Sequence, residues 1–383
     1  GDYLSQKEKL KLIEDFGDIS VIDWQIIQPD DNNDWLNQRD PNYQNYISLF
    51  GESNSIFYTT TLGVTTNRDA WTYGFNRNVL KNKVSRLIEN YSANIEQLKK
   101  FPIDARQSHL NRNPEEINWT RKLERFAKQL KEIKFDENHL RLALYRPYVK
   151  KWLYHDKFLN EETRQYYTKF GNDNIAITTT GRGSSKEFSV LVSDCVSDLQ
   201  SLMNCQGFMR YDNEIEETQL LQSNDNMNQA FADKLGLSLD DTFAYVYGLL
   251  NSREYQVKYA NDLKKDLARI PIVKNKKHYV EVGKALMNLH LNYEEVPVYK
   301  GVEIKSPDSP SYKVNKMKFA KKRDEKGKSV NDLSTIIFNS DITISNIPEK
   351  AYEYVVNGRS AIEWIIDQYQ VKTDKKSGIT DDP

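Results

Sequence analysis

Cysteine is nearly absent from this chain: Cys195 and Cys205 are the only two among 383 residues. Two thiols cannot staple a chain this long, so the sequence points to a reducing cytosol, with both cysteines as small buried apolar residues. No stretch approaches the ~18–20 consecutive apolar residues of a membrane helix, which excludes an integral membrane protein. A signal peptide and an initiator methionine are both lacking, and Gly1 reads as a cloning remnant on an excised fragment.

The apparatus of catalysis is missing too. Gly327-Lys328-Ser329 has the tail of a phosphate loop, but Lys322 stands where its first glycine belongs. Gly181-Arg182-Gly183 is too short for a dinucleotide fingerprint. The histidines at 109, 139, 155, 278 and 290 are scattered, which argues against a zinc site. Glu303-Ile304-Lys305 has the acid-x-Lys spacing of metal-dependent nucleases, with Glu294 and Glu295 as the nearby second acids. That spacing is common by chance, and no metal ligand or catalytic residue is assigned.

What is present is a water-soluble composition, 38% hydrophobic and 28% charged, with the charge strongly segregated. The formal net charge is only −1, yet residues 1–55 carry −7, residues 187–255 carry −9 and residues 256–330 carry +9. Residues 56–140 and 141–186 carry +5 each. Such blocks allow an oriented field with basic stretches facing a polyanion, although lysine-rich solvated helices give the same count.

Secondary-structure signals are clear in places. Ser5 and Glu8 form a capping box that opens a helix to about Phe16. Asn76 caps an amphipathic stretch, with Val84, Leu87, Ile88, Tyr91, Ile95 and Leu98 at helical spacing. Asn113-Pro114-Glu115-Glu116 predicts a helix start running to Ile133, and Ser238 and Ser360 predict two more. Gly358 reads as the end of a preceding helix. Strands are expected over Ser20–Gln28, Ser55–Val64, Leu140–Arg146, Ile175–Thr180, Phe188–Val192, Tyr312–Phe319 and Thr335–Phe338. Asn172–Asn174 and Lys305–Pro310 are breakers, and Lys321–Asn331 reads as a mobile loop. Clustered short strands between long helices give an α+β fold with a mixed sheet.

Three stretches suit nucleic acid. Thr178 through Lys186 joins two expected strands and carries small, hydroxyl and basic groups, including Arg182, Ser184, Ser185 and Lys186. Its glycines allow close backbone approach, and Arg182 has the planar fork that reads guanine in a major groove. An ordinary hairpin turn is the competing reading. Lys316, Lys318, Lys321, Lys322 and Arg323 form a basic run able to track phosphates, or a lysine-protected edge strand. Tyr145-Arg146-Pro147-Tyr148-Val149-Lys150-Lys151-Trp152 interleaves aromatic and basic groups, as stacking surfaces do and as buried aromatics among exposed lysines also do.

Longer motifs occur in order: Thr66-Asn67-Arg68-Asp69-Ala70-Trp71, Leu144-Tyr145-Arg146-Pro147-Tyr148, Phe243-Ala244-Tyr245-Val246-Tyr247-Gly248-Leu249-Leu250 with Arg253-Glu254-Tyr255, and Asn357-Gly358-Arg359-Ser360-Ala361-Ile362-Glu363-Trp364. From about Asp30 to the end, the chain resembles the C-terminal target recognition region of single-polypeptide type I (type ISP) restriction-modification enzymes. Residues 1–50 resemble the tail of the preceding adenine methyltransferase domain. Residues 51–383 then form the target recognition domain, with a helical subregion near 226–292.

The resemblance implies a prokaryotic cytoplasmic protein in which a nuclease, a helicase-like translocase and the methyltransferase lie upstream. S-adenosylmethionine, ATP and Mg serve those parts, and this fragment needs no cofactor and is not itself an enzyme. The chain has no Pro-Pro pair and hence no Asn-Pro-Pro-Tyr methyltransferase motif. The expected partners are double-stranded DNA and the upstream domains, with no membrane. Expected DNA contacts are Arg182, Ser184, Ser185 and Lys186, backed by Lys316, Lys318, Lys321, Lys322 and Arg323. Asn67, Arg68 and Arg146 are further candidates, or else bind the recognition domain to the methyltransferase, with Asp69 pairing with Arg68 or Arg146. A metal-dependent nuclease segment at Glu303/Lys305 and a docking module that binds no DNA are the alternatives.

Overall fold

The computed structural model describes residues 4–171, 173–216 and 219–383. Gly1 and the Asn172 end of one expected breaker lie outside them. The chain divides into two compact units, Gly1–Pro41 and Asn42–Pro383.

In the first unit the Ser5–Glu8 capping box forms as expected and opens the helix Gln6–Phe16, none of whose residues is buried. The strand expected over Ser20–Gln28 does not form. Asp18 accepts from the Ser20 amide at 2.8 Å and closes a 3-10 turn over Ile19–Val21. Residues 22–28 then form no helix and pair into no described sheet. β-Branched residues favour a pleated surface only when another strand completes it.

Among the described residues the second unit is α+β, built on three four-stranded sheets. In the first, Gln206–Met209 and Ala176–Thr179 are central, flanked by Thr61–Leu62 and Val190–Ser193, all antiparallel. The second is mixed: Tyr73–Gly74, Val149–Tyr154 and Leu140–Arg146 run antiparallel, and Val196–Ser197 joins Leu140–Arg146 in parallel. The third contains Glu303–Lys305, Thr343–Ser345, Ser329–Ile337 and Lys318–Arg323. The strand expected over Ser55–Val64 shrinks to Thr61–Leu62, with single bridges at Phe57 and Val64.

Helices cover these sheets. Asn76 caps Arg77–Leu98 by accepting from the Asn78 and Val79 amides, and its predicted apolar stripe is buried. The stripe packs on Leu123, Ala127, Leu140 and Tyr154. The helix expected from Asn113 starts only at Arg121, capped by Thr120, and ends at Lys128. Asn113 caps an isolated turn instead, because buried Ile117 and the Trp119 indole, bonded to the Asn111 carbonyl at 2.6 Å, hold the next residues out of the helix.

Leu239–Leu250 is buried over its whole last two turns. It crosses Lys276–Leu291 so closely that a Cβ on Gly283 would overlap the Ala244 carbonyl oxygen. Only glycine permits that approach. The pair seals a core with Phe57 and with Ile177, Val190 and Phe208 of the first sheet.

Two further expectations fail for local reasons. Gly358 ends no helix. Asn357 and Gly358, at φ 51° and 83°, form the turn between Val355–Val356 and Arg359–Ser360. Paired positive φ values of this kind suit a tight hairpin. Lys321–Asn331 is not a loop either. It belongs to a hairpin of Lys318–Arg323 with Ser329–Ile337, whose turn Asp324 closes by accepting from the Lys326 and Lys328 amides. Of the strand expected over Tyr312–Phe319, only Lys318 and Phe319 pair. Ser360 and Glu363 do form the second capping box, on the helix Ala361–Gln368. Among the described residues no helix is long and apolar enough to cross a membrane.

Candidate nucleic-acid interface

The glycine-containing loop leaves the first sheet between Thr179 and Val190, which face each other in register. Its root is tied: the Thr180 amide donates to the Ser189 carbonyl, and the Ser189 amide donates to Thr180 Oγ1, both at 3.0 Å. Thr178, Thr179 and Thr180 are therefore buried supports, and the Thr178 hydroxyl meets Ser197 at 3.2 Å. Gly181 passes so near the Asn204 carbonyl that any side chain would overlap it. Beyond it, Arg182, Ser185 and Lys186 are exposed and Ser184 is half-buried.

Three distant parts of the chain brace this tip. The Gly183 amide donates to the Lys264 carbonyl at 3.0 Å, at the end of the helix Ala260–Lys265. Ser185 Oγ lies 3.5 Å from the Met203 sulfur. The Asn357 amide donates to Ser189 Oγ at 2.8 Å, and a Cβ on Gly358 would lie 3.5 Å from the Lys186 ammonium. The fold thus adds exposed Lys264 and Arg359 to the neighbourhood of Arg182 and Lys186. No local pattern marks Lys264, and Arg359 belongs to the Asn357–Trp364 motif without an expected DNA contact. Arg359 is partly committed, pairing with Asp367 at 3.1 Å and lying over the Trp364 ring.

The lysine-rich run lies apart from the loop, on the third sheet. Lys316, Lys318, Lys321, Lys322 and Arg323 are all exposed. Three of them engage their own hairpin: Lys321 donates to Asn331 at 2.7 Å, Lys322 pairs with Asp332 at 3.7 Å, and Arg323 donates to the Gly327 carbonyl at 2.6 Å. This hairpin rests on Val314, Met317, Ile336 and Ile347. The helix Ala361–Gln368 links that core to the one beneath the loop, since Ile365 packs against both.

The third group divides. Arg68 departs from its expected role as a contact residue: it is 2% exposed and donates from Nη2 to Thr120 Oγ1 at 2.8 Å. Burial pulls its pKa down to about 10, against the opposing pull of Glu161 and Asp156. A guanidinium so enclosed serves the fold. Asn67 is exposed at φ 54°, and its carbonyl accepts from Asn118 at 3.1 Å.

Arg146 donates from Nη1 to Asp198 at 2.9 Å and stacks 3.9 Å from the Tyr145 ring centre. Asp69 pairs directly with neither arginine. It accepts from the Thr66 and Tyr145 hydroxyls, the latter at 3.0 Å. Tyr73 donates to the other Asp198 oxygen at 3.0 Å. Burial raises Asp198 to about 6, even with the Arg146 guanidinium opposing it. Glu303 and Lys305 are exposed on an edge strand, and among the described residues no three His, Cys, Asp or Glu side chains gather as a metal site.

Comparison with known proteins gives a consistent result. The Type ISP C-terminal specificity domain matches residues 55–383. A nuclease-deletion mutant of the Type ISP restriction-modification enzyme LlaGI, solved with a DNA substrate mimic, superimposes with a TM-score of 0.86 at 43% identity. That match covers 100% of this chain and 35% of the other. The ATP-dependent Type ISP enzyme LlaBIII bound to DNA gives a TM-score of 0.84 at 35% identity, covering 99% of this chain and 25% of that one. A cryo-EM DrdV–DNA complex gives a TM-score of 0.82 at 26% identity, covering 98% and 38%. No curated protein matches. The chain therefore spans about a third of the length of the first of these relatives.

Proposed function

This chain belongs to the Type ISP C-terminal specificity domain family, and we propose that it reads double-stranded DNA in a base-sequence-dependent manner. The observation that carries this reading is the exposed, braced loop with Arg182, Ser184, Ser185 and Lys186 at its tip. A cationic tip on a rigid root suits groove reading: phosphate contacts position the duplex, and a planar guanidinium discriminates base edges. The basic hairpin Lys318–Arg323 supplies a second, sequence-independent contact.

The longer relatives support a division of labour. In the whole enzyme we assign nuclease, translocase and adenine methyltransferase activity, with S-adenosylmethionine, ATP and Mg, to upstream domains. This chain presents the duplex to them without performing chemistry. Residues 1–50 belong to the methyltransferase side of that junction.

Binding of a randomised duplex pool tests the reading. Affinity should fall steeply with salt, as expected for released phosphate counterions. Arg182→Ala should flatten the selected base preference, and Lys186→Ala should weaken all sequences alike and lower the salt slope by about one. A wild-type chain that selects no sequence, or an Arg182→Ala chain that selects the same one, overturns it.

A further inference from the structure

A cavity of about 320 Å³ opens beside the Arg146 network, between the Thr65–Asp69 turn and the Asp198–Gln200 turn. Its size is at the lower end of the ~300–1,000 Å³ of small-ligand pockets. Asn67, Asp69, Arg146, Asp198 and Gln200 supply its polar lining. The hydrogen bonds of Arg146 to Asp198 and to the Tyr145 carbonyl both leave from Nη1, so Nε and Nη2 remain for an occupant. The guanidinium is pre-set by those bonds and by the Tyr145 ring beneath it. Asn67 keeps its side-chain amide without a partner among the described residues, and the Gln200 amide, bonded to Asn204 at 3.3 Å, is exposed.

The balance of charge narrows the occupant. One guanidinium faces two carboxylates, so a phosphate or other anion is repelled. A neutral planar group offering both donors and acceptors finds partners for each: N–H groups on Arg146, and amides on Asn67 and Gln200 that donate and accept. Of the parts of a duplex, only a base has that character, and only when it has left the stack.

We propose that this cavity receives a single extrahelical nucleobase, oriented by Arg146 and gripped by Asn67 and Gln200. This inference rests on the DNA-reading function. The arginine is held by Asp198, the Tyr145 carbonyl and the Tyr145 ring, so the cost of ordering it is met in folding rather than in binding.

The test compares one duplex carrying a single bulged base with the same duplex carrying an abasic residue at that position. The wild-type chain should prefer the bulged base about tenfold, as one good bidentate contact allows. Asn67→Gly, which keeps the positive φ, combined with Gln200→Ala should erase the preference for the bulged over the abasic duplex. Arg182→Ala should weaken both duplexes and keep the preference. A wild-type chain without the preference, or a double variant that retains it, overturns the cavity assignment and leaves the loop assignment standing. If no duplex binds at all, the DNA reading fails. The cavity is then judged by nucleosides, which should shift the Asn67 and Gln200 side-chain amide resonances where inorganic phosphate does not. Unmoved resonances overturn it, and hand the cavity to a protein side chain.

Discussion

The loop Thr180–Ser189 and the hairpin Lys318–Ile337 are both basic, yet they are built in opposite ways. The loop has few cations, but its backbone is fixed by Lys264, Met203 and the Asn357–Gly358 turn, which come from distant parts of the sequence. The hairpin is denser in lysine, and much of that charge is turned back on Asn331, Asp332 and the Gly327 carbonyl. Linear charge density therefore overstates the hairpin and understates the loop. The proposed discrimination between bases needs a guanidinium carried on a fixed backbone, which bracing supplies and charge does not.

The largest break in this comparison should come from the two glycines at the turns. Gly181→Val forces a side chain into the Asn204 carbonyl and should cost about 3 kcal/mol. Gly327→Ala meets nothing within 4 Å and bears only the strain of φ 75°, about 1 kcal/mol. Thermal unfolding of the two variants measures the difference. Equal losses would mean that the loop root is no more rigid than the hairpin turn.

Acid should separate the regions next. His290 lies on the helix that covers the loop's sheet, and burial lowers its pKa from 6.5 to about 4. It stays neutral in the fold while the unfolded chain takes up a proton, so stability falls as pH drops from about 6.5 towards 4. The loss reaches roughly 3 kcal/mol for a shift of this size. His290→Gln, which cannot titrate, should reduce that slope and leave the part due to buried His155, whose pKa burial lowers to about 3. The third sheet has no histidine at all. Hydrogen exchange at pH 5 should accelerate around Tyr247 and Ile177 before it does in Ser329–Ile337, and a uniform response would contradict this assignment.

These contrasts mark what the sequence makes legible. Arg77–Leu98 is readable because its burial repeats every turn within one segment. The loop tip is readable because Gly181 and Gly183 bracket Arg182 locally. Asn113 misleads because the same side chain caps an isolated turn as readily as a helix. Ser20–Gln28 misleads because a strand needs a neighbour that local composition does not contain. Lys264, Arg359 and the Tyr73–Asp198–Arg146 network depend on contacts between segments tens to hundreds of residues apart, and no spacing rule reports them. Arg68 stands beside Asn67 in one motif, yet one is enclosed and the other exposed.

The smallest expected effect is the most informative about the hairpin. Lys322→Ala removes a cation 3.7 Å from Asp332 and leaves that carboxylate uncompensated, so DNA loses one exposed, screened charge. Affinity should fall by less than about threefold at low salt and become indistinguishable from wild type near 0.15 M, where exposed charges are screened beyond ~8 Å. Lys318→Ala, which removes a cation for which the hairpin provides no carboxylate partner, should cost no more than Lys322→Ala at every salt concentration. Both changes should leave base preference untouched, because a point charge on an exposed strand senses phosphate and not sequence. A preference altered by Lys322→Ala, with Arg182→Ala neutral, would reverse the two roles and make the hairpin the reader.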